Sequence, residues 1–294
     1  MGHHHHEVSG GKLFLTVILN VIITVAQIIG GVISGSLALL SDAMHNFSDV
    51  LALLIAWGAN RLSLKPSEEG KTFGFKRAEI IAALFNSSLL LAIAIFLIFE
   101  AVHKFLHPEP IASNWVIWLG VLSIVLNSVS VLLIKDDSHD NMNVKAAYLH
   151  LMTDVATSVA VVIGGLLMKY LHIYWVDSVI TILIAFYLIY ASYDIIKESV
   201  AILMQFAPEI NLEELAKSVA QIEEIDNIHH IHIWRLNDHD IFLEAHIDFT
   251  NNLKLDEVRV KLEEVEELLK SKFHIAHITL QPEFNRDDKK DLVV

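Results

Sequence analysis

Two histidine–aspartate pairs of the same spacing stand in this chain: His45 with Asp49, and His150 with Asp154. Residues i and i+4 of a helix share one face a turn apart, so each pair would offer an imidazole and a carboxylate in one direction. Each pair lies well inside an apolar run, where an ionisable side chain costs several kcal/mol unless it faces a bundle interior or an aqueous cavity. If the two helices are neighbours, four N and O ligands converge, the number that a tetrahedral Zn²⁺ takes. The competing reading makes these groups interhelical hydrogen-bond glue without metal. Asn or Ser would serve that purpose at lower desolvation cost. One His-x-x-x-Asp motif is unspecific; two in membrane-length runs of one chain are not. The chain has no cysteine, so thiolate zinc sites, disulfides and Cys nucleophiles are excluded, and any metal must be held by His, Asp and Glu.

Six apolar runs must position these residues: Lys12–Ser34, Leu37–Asn60, Arg77–Leu106, Asn114–Ile134, Val144–Tyr170 and Val176–Ile196. Each is near the roughly 20 residues that a helix needs to cross the hydrocarbon of a lipid bilayer. Backbone groups in lipid must be satisfied internally, so these runs read as helices. Composition agrees: of 294 residues, 54% are hydrophobic and only 19% charged, with a mean hydropathy of +0.50. The first two runs are joined by little more than Gly35-Ser36, an antiparallel hairpin. One side of the membrane would hold Lys12, Arg61, Lys65, Lys71, Lys76, Arg77, Lys135, Lys145 and Lys197, the other only Lys104 and Lys169. By the positive-inside rule, both termini are expected in the cytoplasm. The net charge of −14 is wrong for nucleic acid, which asks for basic patches. His3–His6 are either a cloning remnant or a native metal-collecting tail.

After Pro208 no stretch could span a membrane, and acidic residues outnumber basic ones two to one. Asn211 with Glu214 has the form of a capping box, followed by Leu212, Leu215, Val219 and Ile222 on one helix face. Two alternating segments, Ile228–Leu236 and Ile241–Phe249, flank the turn Asn237–Asp240 and predict a β-hairpin. In the second, Ile241, Leu243, Ala245, Ile247 and Phe249 point one way, and Glu244, His246 and Asp248 the other. A second helix carries Leu255, Val258, Leu262, Val265 and Leu269, and a last strand spans His274–Gln281. The order α-β-β-α-β predicts a small α+β domain with its helices on one face of a sheet. The expected organisation is a His-rich segment over residues 1–11, an all-α six-helix transmembrane transport domain over 12–207, a cytoplasmic domain over 208–284, and a charged, disordered tail over 285–294.

The runs Ser36–Asp49 (SLALLSDAMHNFSD), Thr72–Glu79 (TFGFKRAE) and Ala146–Asp154 (AAYLHLMTD) resemble the cation diffusion facilitator family. So do Trp175-Val-Asp177, Glu198–Leu203, Ala207-Pro208 and His232-Ile-Trp234, and the resemblance extends from Lys12 to Phe284. It implies a homodimeric metal–proton antiporter with six membrane helices and a cytoplasmic metallochaperone-like (ferredoxin-like) domain. It also implies His45, Asp49, His150 and Asp154 as the transport site, in the zinc- and cadmium-type pattern rather than the iron- and manganese-type ones, which use carboxylates or Asn. Imidazole suits Zn²⁺ better than hard cations, which agrees. In the cytoplasmic domain it implies that His246 and Glu283, with one or two of His229, His232 and His277, bind regulatory zinc. Single surface histidines in an acidic domain are more often merely solvated, so the case rests on the cluster. Two departures stand out. Lys71 and Phe75 fill positions where some relatives carry loop ligands, so a metal site between the second and third spans is not expected. His139 and Asp140 are all that remains of a His-rich loop between the fourth and fifth.

The expected activity is Zn²⁺/H⁺ exchange that exports zinc, with cadmium or cobalt as further cargo, through the inner membrane. Ligands bind metal only when deprotonated, so zinc and protons compete for one site, and histidine, with an unperturbed pKa of about 6.5, suits that competition near neutral pH. Asp42, a turn before His45, either orients its imidazole or is a polar residue near the membrane surface. Asn20, Gln27, Asn86 and Asn127 are expected to serve bundle packing. An intramembrane metallohydrolase would need an open metal position and a general base; the chain has no His-Glu-x-x-His, and an enzyme is not expected. Iron- or manganese-type efflux and a membrane zinc sensor without flux are the alternatives.

Overall fold

The computed structural model describes residues 10–135, 142–287 and 289–293; the His3–His6 run and the His139–Asp140 pair lie outside them. Six helices long and apolar enough to cross a membrane stand among these residues. They are α1 (Gly10–Ser34), α2 (Leu37–Ser63), α3 (Ala78–Leu106), α4 (Ser113–Ile134), α5 (Met142–Leu171) and α6 (Trp175–Leu203). The chain divides into two compact units: residues up to Gly58 with Ala83–Ile196, and Ala59–Ala82 with the chain from Lys197 onward. α6 runs past Ile196, where the apolar run ends. Hydropathy marks where a chain leaves lipid, whereas the helix itself continues for as long as its backbone bonds do.

In the first unit the turn between α1 and α2 needs only two residues because Gly35 takes φ +72°, a conformation that costs glycine nothing. Its N–H donates to the Gly31 carbonyl at 3.0 Å and closes the end of α1. α4 packs along α5 and against α1. Small residues make this close approach possible: a Cβ at Gly120 would lie 2.5 Å from Val162 Cγ2, and one at Gly165 2.9 Å from Ile117 Cγ1. The interior holds Leu39, Leu90, Val116, Val161, Met168 and Leu188. The outer faces carry Ile22, Ile29, Val32, Phe96, Phe99, Trp118, Leu183 and Tyr190, all exposed. Apolar surface on this scale is a liability in water and the expected coat in lipid.

The buried Asp177 carboxylate fixes where α6 and α2 begin relative to one another. It accepts from Leu37 N–H at 2.7 Å, from Ala38 N–H at 3.4 Å and from the Ser36 hydroxyl. These are donors that the first turn of a helix cannot satisfy by itself, and the negative charge sits at the positive end of the α2 dipole.

The second unit contains α7 (Leu212–Val219), β1 (Ile225–Arg235), β2 (Ile241–Phe249), α8 (Leu255–Phe273) and β3 (His277–Glu283). The sheet order is β1-β2-β3, with β1 antiparallel and β3 parallel to the central strand. α8 supplies the crossover that a parallel pair requires. One core joins Leu215 and Val219 of α7, Val265 and Leu269 of α8, and Leu243, Ala245, Ile247 and Phe249 of β2. The Asn211 side chain caps α7 by accepting from Glu213 and Glu214 N–H. The expected capping box is thus met on the Asn211 side, while the Glu214 carboxylate pairs with Lys272 of α8 at 2.9 Å. Leu255, expected on the buried stripe, is 83% exposed, whereas Val258 and Leu262 pack against the core as expected.

β1 departs from simple alternation. Its register shifts between Ile225 and Asn227 and again between His229 and His232, with His230 at φ +53°. The second bulge returns Ile231 to the core face, so Ile228, Ile231 and Ile233 are all buried. The tail expected to be disordered instead pairs with this bulge: His230 N–H donates to the Asp291 carbonyl at 3.1 Å, and Ile231 N–H to that of Leu292 at 2.7 Å. Leu292 also packs on the core.

The loop between α2 and α3 belongs to this unit. Lys76 Nζ lies 2.7 Å from Asp240 Oδ2 in the β1–β2 turn, and the Phe73 ring meets that of Phe242 edge-on at 5.6 Å. The Lys76 ammonium, aided by Asn237, holds the Asp240 carboxyl below the ordinary carboxylate range.

Two outcomes are expected. Asp177→Ala should lower the midpoint of thermal unfolding in detergent, because buried N–H groups left without acceptors cost about 1–3 kcal/mol; Asp177→Asn, which keeps one acceptor oxygen, should lose less. The Lys76–Asp240 contact should persist above the ordinary carboxylate pKa and be lost as pH falls through the depressed folded value. In an NMR titration of the carboxyl, Lys76→Gln should move Asp240 back toward about 3.9.

Candidate metal centre

α2 and α5 bring their paired residues together. One ligand atom from each of His45, Asp49, His150 and Asp154 can be chosen so that all lie within 4.8 Å of one another. His150 Nε2 is 3.1 Å from Asp49 Oδ2, His45 Nε2 is 3.4 Å from Asp154 Oδ1, and the i, i+4 partners are 3.8 and 3.9 Å apart. Around a tetrahedral zinc with bonds of about 2.0–2.1 Å, ligand atoms stand roughly 3.3 Å from one another. The observed spacings bracket that value.

The hydrogen-bond inventory points the same way. Neither nitrogen of His45 and neither carboxylate oxygen of Asp154 has a hydrogen-bond partner, although all four atoms are buried. Buried polar atoms are nearly always satisfied, so orphans concentrated at one point call for an ion or protons. Exposure falls in one direction along both helices. His150 and Asp49 side chains are 39% and 25% exposed, whereas those of His45 and Asp154 are 7% and 0% exposed. The accessible pair therefore lies toward the end where α2 finishes and α5 begins.

Behind the ligands is a polar network that the sequence did not reveal. Asp42 accepts from Gln27 of α1 at 2.6 Å, and from Thr157 and Ser158 of α5 at 3.0 and 3.2 Å. Gln27 Oε1 in turn accepts from Asn46 of α2 at 3.1 Å. Asp42 thus neither sits near a surface nor hydrogen-bonds the His45 imidazole; it ties three helices together beside the site. Ser158 also shares a hydrogen bond with Ser123 of α4 at 2.8 Å, and Asn127 donates to that Ser123. Gln27 and Asn127 do act in bundle packing, and Gln27 does so at the site. Tyr187 of α6 sets its ring edge-on to His45 at 6.0 Å. A signal for the network was present: Asp42 is one turn before His45 and Thr157 one turn after Asp154, on the stripes that carry the ligands.

A second cluster joins His229 of β1, His246 of β2 and Glu283 of β3, again with ligand atoms within 4.8 Å of one another. The register explains it: His229 pairs opposite His246, and Glu283 sits beside Asp248, the next residue of β2 on that face. His246 Nδ1 lies 3.0 Å from Glu283 Oε1, and His229 Nε2 3.7 Å from Glu283 Oε2. His246 Nδ1 and Glu283 Oε2 are buried without hydrogen-bond partners, so the donor set suits a divalent metal. The other two candidates lie elsewhere. His232 pairs opposite Glu244, past the bulge, with its ring against that of His230, and His277 at the start of β3 meets the Phe242 ring at 4.8 Å, tilted by 35°.

Comparison with known proteins accords with this architecture. The family described as the cation efflux transmembrane domain matches residues 13–204, and the cation efflux protein cytoplasmic domain matches residues 207–284. The chain belongs to the cation efflux family, the cation diffusion facilitators of zinc type, and is a multi-pass membrane protein. It is 32% identical over 293 residues to the metal cation efflux system protein CzcD of Cupriavidus metallidurans, covering 99% of this chain and 92% of that one. It is 33% identical over 289 residues to a cadmium, cobalt and zinc/H⁺-K⁺ antiporter of Bacillus subtilis, covering 96% of this chain and 92% of that one. To the zinc transporter ZitB of Escherichia coli it is 30% identical over 261 residues, covering 88% of this chain and 82% of that one.

The Asp42 network yields a measurable expectation. Thr157→Val keeps the shape and removes a hydroxyl that faces both Asp42 and the Asp154 carbonyl, so zinc affinity in detergent should fall by about 2- to 10-fold, the size of one ordinary hydrogen bond of roughly 0.5–1.5 kcal/mol. Competition with a chromophoric chelator reads this directly.

Proposed function

We propose that the chain exports Zn²⁺ in exchange for protons through the His45/Asp49/His150/Asp154 site, with cadmium or cobalt as further cargo. The observation that carries this is the convergence of those four groups between two membrane helices, with buried atoms that lack hydrogen-bond partners. Relatives whose names specify zinc, cadmium and cobalt transport support the choice of metal. The imidazoles favour it over hard cations such as manganese, which take oxygen ligands.

The steps follow from charge and access. Zinc enters from the cytoplasm past His150 and Asp49, the exposed pair, and is held when all four groups are deprotonated. Rocking of the helices then opens the His45–Asp154 side. Protons arriving there compete for the same lone pairs, release the metal, and return inward on the ligands. All four positions are filled by protein, so no coordination site is left open for an attacking water as hydrolysis would need. The protein works as a homodimer in the inner membrane with both termini in the cytoplasm; the basic residues of the loops support the orientation. The transport unit is residues 12–207, and the domain 208–284 carries a regulatory zinc on His229, His246 and Glu283, with a fourth position open to water or to another chain.

The test is zinc flux in proteoliposomes with an imposed pH gradient. His45→Ala and Asp154→Ala should each abolish gradient-driven flux, and acidifying the zinc-receiving side should accelerate the wild type. Full flux in either variant would sink the proposal, and zinc binding without flux in the wild type would favour a sensor. His45→Asp should widen transport toward harder ions such as Mn²⁺; an unchanged metal preference would refute the selectivity argument.

A further inference from the structure

The chain after β3 returns to the cytoplasmic cluster and brings a cation with it. The bulge between His229 and His232 leaves His230 and Ile231 without partners on β2. Their N–H groups are taken instead by the Asp291 and Leu292 carbonyls, and Leu292 seats on the core. This short pairing delivers Lys290 Nζ to 2.7 Å from Asp248 Oδ2 and 3.7 Å from Glu283 Oε2. Arg286 reaches Glu283 Oε1 at 2.5 Å from the same stretch. Both carboxylates are nearly buried, and Asp248 Oδ2 is itself 3.5 Å from His229 Nδ1. The tail therefore places two positive groups on the acid that also faces His229 and His246.

We propose that Lys290 is a tethered cation of the cytoplasmic cluster, setting its metal affinity, and that a divalent metal on His229, His246 and Glu283 and the docked tail exclude one another. This rests on reading that cluster as a metal site. A doubly charged ion bound to Glu283 repels an ammonium placed on the same carboxylate, and the enclosed setting weakens the screening that would mute the repulsion. Metal arrival weakens the hold on Lys290 and Arg286 and frees the tail strand from the bulge. Conversely, the docked tail neutralises the carboxylates while metal is scarce, so the cluster takes zinc only above a threshold that the tail fixes.

The experiment uses the full-length protein in detergent with His150→Ala and Asp154→Ala, which silence the transport site. Zinc affinity is read by chelator competition, and tail release by trypsin cleavage after Lys289 and Lys290 with and without zinc. Zinc binding that disappears on adding His246→Ala establishes the site. In that background Lys290→Gln should tighten binding at least tenfold, Lys290→Arg should stay near the parent, and zinc should open the tail to trypsin. Binding that depends on His246 but is equal or weaker in Lys290→Gln, with trypsin protection unchanged by zinc, would overturn the tail proposal and leave the site standing. No binding in the parent and none in Lys290→Gln would overturn both.

Discussion

Two carboxylates and two imidazoles meet between helices whose outer faces belong in hydrocarbon, one His–Asp pair buried and the other open, and the rest of the membrane unit is arranged around that. Asp154 is fully buried and its oxygens have no hydrogen-bond partner. Deprotonated and empty, the site would hold two uncompensated negative charges in a medium that stabilises them poorly. A divalent cation cancels them, and so do protons. The two states of low electrostatic cost are then the metal-loaded and the protonated ones, and the expensive state is the one with neither. The proposed exchange needs no separate coupling device on this ordering, because zinc leaving the buried His45–Asp154 pair leaves a charge that protons can cancel.

The scaffold divides the labour between rigid and accessible parts. Asp42 binds α1, α2 and α5 at one level, while Asp177 fastens the start of α6 to the start of α2. Gly120 and Gly165 let α4 and α5 approach to a distance that a larger side chain would forbid. These contacts lie beside or beyond the buried His45–Asp154 pair, and the exposed His150–Asp49 pair lies on the other side of it. A site that must change its access needs one such asymmetry, in which part of the ligand set is held by packed helices and part faces an opening.

What could be read from the chain alone was whatever depends on local pattern. Six apolar runs announced six helices, and the i, i+4 spacing put His45 with Asp49 and His150 with Asp154 on single faces before any partner helix was known. Alternation in Ile241–Phe249 gave the central strand and the outward direction of His246. The features that escaped depend on which elements meet. Asp42 reads as an isolated acid until Gln27 and Thr157 are brought to it from 15 and 115 residues away. The bulge at His230 has no marker in a run of β-branched and His residues, and regular alternation cannot say whether His229 or His232 joins His246. The tail, rich in Asp and Lys, has the composition of a disordered end, yet a few backbone bonds and one leucine suffice to seat it, because the bulge presents donors that nothing else takes.

The two clusters draw on the same ligand chemistry but differ in the charges that surround them. Lys290 and Arg286 stand on the carboxylates of the cytoplasmic cluster and offset part of their charge. No lysine or arginine pairs with Asp49 or Asp154 among the described residues; their ionic partners there are histidines. A permanent cation at the membrane site would settle its charge balance for good and remove the reason for zinc or protons to bind. The membrane cluster thus depends on zinc or protons for its charge balance, whereas the cytoplasmic cluster has Lys290 and Arg286 beside it. Residue types alone do not distinguish a site that must always carry something from a site that can wait.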